Sequence, residues 1–140
     1  METNNLSRHK TIKTLLAQEP EKIVDTSINL WGLFASQVIF IVGESGFHAL
    51  FARSVFITQS SFPWLAAGLL STQTERLLAD LKMSLEKQTP AQAGEANCFL
   101  LITFTDILAS LIGEDLTSGI LRSVWGHYAS DIAGMEFNND

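Results

Sequence analysis

From Thr26 to Gly43 the sequence carries no Asp, Glu, Lys or Arg. A run of that length must lie where water does not, either in the middle of a protein or in a bilayer, where about 20 apolar residues make a span. Leu30, Trp31, Leu33, Phe34, Val38, Ile39, Phe40, Ile41 and Val42 surround a helix axis on every side. A helix that is apolar all round belongs inside a bundle. Ser27, Asn29, Ser36 and Gln37 interrupt the run, and no Lys or Arg flanks it in the anchoring pattern. Polar side chains are expensive in hydrocarbon, so the run reads as the central helix of a soluble protein, with membrane insertion disfavoured.

A second run of the same kind, Asn97 to Ile112, holds Phe99, Leu100, Leu101, Ile102, Phe104, Ile107, Leu108 and Leu111, with Asp106 as its single charge. Two such segments can bury each other. The expectation is an all-α fold: one helical bundle over residues 1–140, of about six helices, with segments 20–42 and 97–112 at its centre and residues 1–6 and 135–140 as frayed tails.

Punctuation along the chain sets the other helices. Ser7 can cap a first helix to about Gln18. Glu19-Pro20-Glu21 opens the second, because proline suits a first turn and acids suit the positive end of the macrodipole. Gly43 closes it, and a third helix follows over about 46–59. Ser61 and Pro63 start a short helix through Leu70. Thr72 and Glu75 have capping-box spacing before the amphipathic stripe Leu77, Leu78, Leu81 and Leu85. Gln88 to Glu95, with Pro90 and Gly94, reads as a loop. Gly113 ends the second apolar run, and Glu114-Asp115 opens a last helix to Gly126. No internal repeat is visible in the residues themselves.

With 140 residues, a single domain can bury roughly 65–70% of its unfolded surface. Hydrophobic residues make up 46% and charged ones 17%, which leaves a small domain with apolar area to place outside its own core. That surplus points to self-association or a partner. The net charge of -6 and the lack of a Lys/Arg cluster exclude phosphate-backbone binding, and with it nucleic acid. The single Cys98 permits no internal disulfide, and the polar stretch from Met1 to Lys13 has no signal-peptide core, so a cytoplasmic location is expected.

No phosphate-binding, nucleophile-elbow or zinc-binding motif is present, and no catalytic residue, metal ligand or cofactor is assigned. Glu44 and His48 have i, i+4 spacing but no third ligand. Cys98, just inside the expected start of its helix, could have a lowered pKa. Asp106, alone on an apolar helix, needs a partner, for which Arg53 is the first candidate and Arg122 the second. Asn29, Ser36 and Gln37 share a face, as a packing seam or as the lining of a cavity. Asn29, Gln37, Arg53 and Asp106 are therefore the candidate ligand contacts. Phe62, Trp64 and Trp125 are the candidate partner anchors, because large rings at a helix break and near the chain end need not all fit inside.

Two functions follow. The first is a non-enzymatic protein–protein interaction module, homo-oligomeric, of a regulatory or signalling kind. The second is a small-ligand or cofactor binder with an apolar pocket between the central helices.

Overall fold

Trp31 and Phe51 are 20 residues apart on one helical run, Ile23–Thr58, yet their ring centroids are 5.2 Å apart. In a straight helix the same residues would be about 30 Å apart. The run folds back at Gly43, whose φ of 84° and ψ of 165° break the helix. Only glycine occupies that region without strain.

The computed structural model describes residues 8–10, 12, 13, 23–65 and 73–124. Residues 8–10 and 12–13 are helical and are called α1; α2 is Ile23–Thr58, α3 is Thr74–Glu86, α4 is Pro90–Ile112, and α5 covers residues 114–124. A single 3₁₀ turn, Pro63–Leu65, is the described part of the short helix expected through Leu70. The fold is all-α, as expected, with no strand among the described residues. Among the described residues the helices number five rather than about six, because the second and third expected helices are two arms of α2.

The expected loop from Gln88 to Glu95 is corrected: within it only Gln88 and Thr89 lie outside a helix, and residues 90–95 are the start of α4. Thr89 caps α4, its Oγ1 accepting from the Gln92 N–H at 3.2 Å, and Pro90 takes the first helical position. This is the proline chemistry expected of Pro20, here acting at the start of α4. Gly94 lies inside the helix, where its Cα faces Ile23. The α3 start is also corrected: Gln73 is its N-cap, in an extended conformation, while Thr72 lies outside the described residues.

The first arm of α2 and α4 form the centre, and they run in the same direction. Ile23 lies against Gly94, Ser27 is bonded to Asn97, and Phe34 stacks edge-on to Phe104 at 5.6 Å. The last two pairs are each separated by 70 residues, and that offset recurs throughout. Adding 70 to the buried positions 23, 27, 30, 31, 34, 35, 38, 47, 50, 51 and 54 gives 93, 97, 100, 101, 104, 105, 108, 117, 120, 121 and 124, all of which are buried. Gly113 matches Gly43 with φ 98° and ψ 152°. Two parallel helices that bury the same face against each other are related by a half-turn about an axis between them. The chain is thus two similar helical hairpins, α2 and α4–α5, around an approximate two-fold. The reading that it holds no repeat is corrected.

Aromatic rings fill the space on that axis. Trp31, Phe34, Phe47, Phe51 and Phe104 are all buried, and Phe104 lies 5.3–6.5 Å from the other four. Truncating such a ring removes transfer energy and leaves a cavity. Phe104→Ala is expected to lose about 3–5 kcal/mol in urea unfolding, and Phe34→Ala a comparable amount. At the turns, Gly43→Ala and Gly113→Ala meet open space but a forbidden backbone. Each should cost about 1–3 kcal/mol, and by similar amounts, in the same measurement.

Candidate functional site

Polar chemistry enters this apolar frame in three places. The first lies on the two-fold. The Trp31 indole N–H donates to Asn97 Oδ1 at 2.7 Å, and Asn97 Nδ2 donates to Ser27 Oγ at 2.9 Å. All three groups are buried. The bonds satisfy polar atoms that would each be costly alone, and they fix the register of the two central helices.

The second place is where α1 meets α4 and α5. The Arg8 side chain is only 2% exposed. Its Nε and Nη2 donate to Glu114 Oε2 and Oε1 at 2.8 and 3.1 Å, a bidentate fork. Nη1 donates to Thr105 Oγ1 at 2.6 Å and pairs with Asp106 Oδ1 at 2.8 Å. His9 Nε2 also lies 2.8 Å from Asp106 Oδ1, and Ser118 Oγ donates to Glu114 Oε2 at 3.0 Å. Burial would pull the Arg8 guanidinium down, but hydrogen bonds to Glu114 and Asp106 outweigh it and hold it above its usual value. The same hydrogen bond from Arg8 holds the Glu114 carboxyl below the usual glutamate range.

The expected partners of Asp106 are therefore corrected. Arg53 and Arg122 are both exposed, and the pairing falls to Arg8 and His9 from the other end of the chain. Sequence spacing could not show this, since the partner is 98 residues away and α1 had only a modest apolar stripe.

The third place is the counterpart of the second in the other half. Glu44 follows Gly43 as Glu114 follows Gly113. Thr74, at the start of α3, donates to Glu44 Oε2 at 3.3 Å, and His48 Nε2 bonds the Thr74 hydroxyl at 2.9 Å. Each glutamate after a glycine break is thus tied to the first helix preceding the opposite hairpin. The halves differ in what else they offer: Thr105 and Asp106 correspond to Ala35 and Ser36, and Arg8 to Leu78. Where one half uses an ion pair, the other uses hydrogen bonds through a hydroxyl.

The remaining candidates do not converge. Asn29, Ser36 and Gln37 do share a face, but it is the outer face of α2, and all three are exposed. Ser36 Oγ donates to the carbonyl of Gly32 in its own helix. The inward polar residues are Ser27, Ser54 and Thr58, two of which bond the carbonyl four residues earlier. Arg53 faces outward on the second arm of α2. Asn29, Gln37, Arg53 and Asp106 thus line no common space.

Cys98 sits two turns into α4, away from the helix start, and burial pushes its thiol up. Phe62 and Trp64 are half-buried and stack edge-on to each other at 6.1 Å, with Phe62 6.0 Å from Phe99. Trp125 lies outside the described residues.

The large apolar side chains that do face water are others: Phe40 at 90%, Phe56 at 72%, Leu111 at 65%, with Met83, Leu116, Ile41, Phe99 and Leu33 less so. Among the described residues no buried side-chain nitrogen or oxygen lacks a hydrogen bond, and no group of three metal-binding side chains comes together. No protein family, curated protein or solved structure matches the chain.

The Arg8 cluster sets the acid response. Glu114 is depressed in the folded state, so its contribution to stability is complete above the unfolded glutamate value of about 4.3 and is lost as pH falls through its folded value. Glu114→Gln should flatten that acid limb in thermal melts between about pH 5 and 2. A double-mutant cycle of Arg8→Met with Glu114→Gln at pH 7 should return a coupling of about 0.5–3 kcal/mol.

Proposed function

We propose that this protein is a non-enzymatic helical interaction module that associates with copies of itself, in a regulatory or scaffolding capacity and in the cytoplasm. One contrast carries the reading. The interior polar groups are spent on holding helices together, as Arg8, Asn97 and Trp31 are, while bulky apolar side chains such as Phe40, Phe56 and Leu111 face outward. Catalysis needs a polar group left available to a substrate. Association needs exposed apolar area. The second is what this surface supplies.

A pocket-type ligand site draws no support from its four candidates: Asn29 and Gln37 are exposed on the outer face of one arm of α2, and Arg53 is exposed on the other arm. A membrane-embedded reading has an observation behind it: α2 and α4 are each long and apolar enough to cross a bilayer. The two readings part in one experiment. In detergent-free buffer at about 10–100 µM, sedimentation equilibrium should show a reversible dimer or higher species, with most of the protein in the supernatant after high-speed centrifugation. A strict monomer sinks the interaction reading. Protein recovered only in the membrane fraction, and released by detergent but not by alkaline carbonate, replaces it with the membrane one.

A further inference from the structure

We infer that the end of the molecule bearing the two glycine turns is the surface on which a second copy of this chain docks. The inference rests on the self-association proposed above and names its face. The register of the central helices places both turns at one end: Ser27 is level with Asn97 and Phe34 with Phe104, so the parallel helices reach Gly43 and Gly113 together. The two segments read alike, Ile41-Val42-Gly43-Glu44 and Leu111-Ile112-Gly113-Glu114. Their equivalent first residues, Ile41 and Leu111, are both exposed, at 42% and 65%. Phe40, one residue earlier, and Leu116, within a turn after Gly113, lie on the same end and are also exposed.

The symmetry decides what fits there. A two-fold interface brings the same patch of two copies together, so the patch must complement itself. Ile41 and Leu111 occupy equivalent places on either side of the internal axis. A second copy approaching end-on about a true two-fold perpendicular to that axis sets each Ile41 against the other copy's Leu111 when the two-fold lies across the line joining them. It sets each against the other copy's Ile41 when the two-fold lies along that line, so either direction matches apolar with apolar. The area is that of a weak contact. The four side chains expose on the order of 400 Å² of apolar surface, within the range of the largest patch on a typical monomer. Two such ends would bury about 800 Å², below the standard specific interface and in the range of transient contacts.

Charge weakens it. Glu114 pairs with Arg8, but the hydrogen bond from the neutral Thr74 hydroxyl does not offset the charge of Glu44, and Asp115 has no partner shown at this end. The contact expected is weak and reversible, with dissociation on the order of 10 µM or weaker.

The test is sedimentation equilibrium on the full chain over a concentration series, with far-UV circular dichroism as a folding control. Ile41→Asp with Leu111→Asp puts charges on exposed positions and should leave the helical signal and melting temperature near wild type. It is expected to shift the association at least tenfold toward monomer. Phe56→Ser with Phe99→Ser, away from the glycine turns, should leave it unchanged. If wild type associates and the Phe56/Phe99 variant disrupts it while the Ile41/Leu111 variant does not, the docking end is wrong and the interaction reading survives. Wild type that stays monomeric overturns both. Co-flotation of monomeric wild type with phosphatidylcholine vesicles, abolished by Ile41→Asp with Leu111→Asp, would assign the same end to lipid and overturn the second copy as its occupant.

Discussion

Everything in this molecule is arranged around the contact between the first arm of α2 and α4. Two parallel helices can pack in register only if the faces they present are equal in size, and here they are: leucine faces inward at 30 and 100, phenylalanine at 34 and 104. Phe104 touches both arms of α2, so one ring joins the centre to the hairpin that folds over it. The hydrogen-bonded set Trp31–Asn97–Ser27 does for register what the rings do for volume. Hydrophobic burial alone tolerates sliding by a turn, whereas a buried amide with fixed donors and acceptor does not.

The outer helices depend on that centre in different ways. α3 brings a stripe of buried leucines, Leu77, Leu81 and Leu85, and needs little else. α1 brings Ile12 and a buried guanidinium. A buried ion pair is costly to form and costlier to break on one side. Arg8 is therefore better understood as a determinant of where α1 sits than as a source of net stability.

The helical class and the two central segments could be read directly from the residues, because apolar runs of 16 to 18 residues with helical spacing and at most one charge have few other solutions. Gly43 and Gly113 were legible as helix ends for the same reason. Three things were not. The repeat escaped because its halves share burial and backbone geometry but few identities, such as Pro20 with Pro90, Phe34 with Phe104 and Glu44 with Glu114. Apolar positions are interchangeable in kind, so a duplicated pattern survives where duplicated letters do not. The partner of Asp106 escaped because a lone acid on an apolar helix states a need without naming the chain position that meets it. The outward face of Asn29, Ser36 and Gln37 escaped because a helix apolar on all sides does not announce which side is inside. There the polar residues are the only guide, and they divide: Asn29, Ser36 and Gln37 mark the solvent, while Ser27 lies inside.

The covalent joining of the two hairpins has a consequence for the axis itself. Were the halves identical and separate, Ser27 would face another serine, and the indole of each Trp31 would have a hydroxyl, not an amide oxygen, within reach. In one continuous chain the two sides of the axis are encoded independently. Asn97 can thus complement Ser27, and Leu101 can stand where a second indole would leave its N–H without an acceptor. Fusion turns a self-matching seam into a lock with different halves, and a centre so keyed has one way to close.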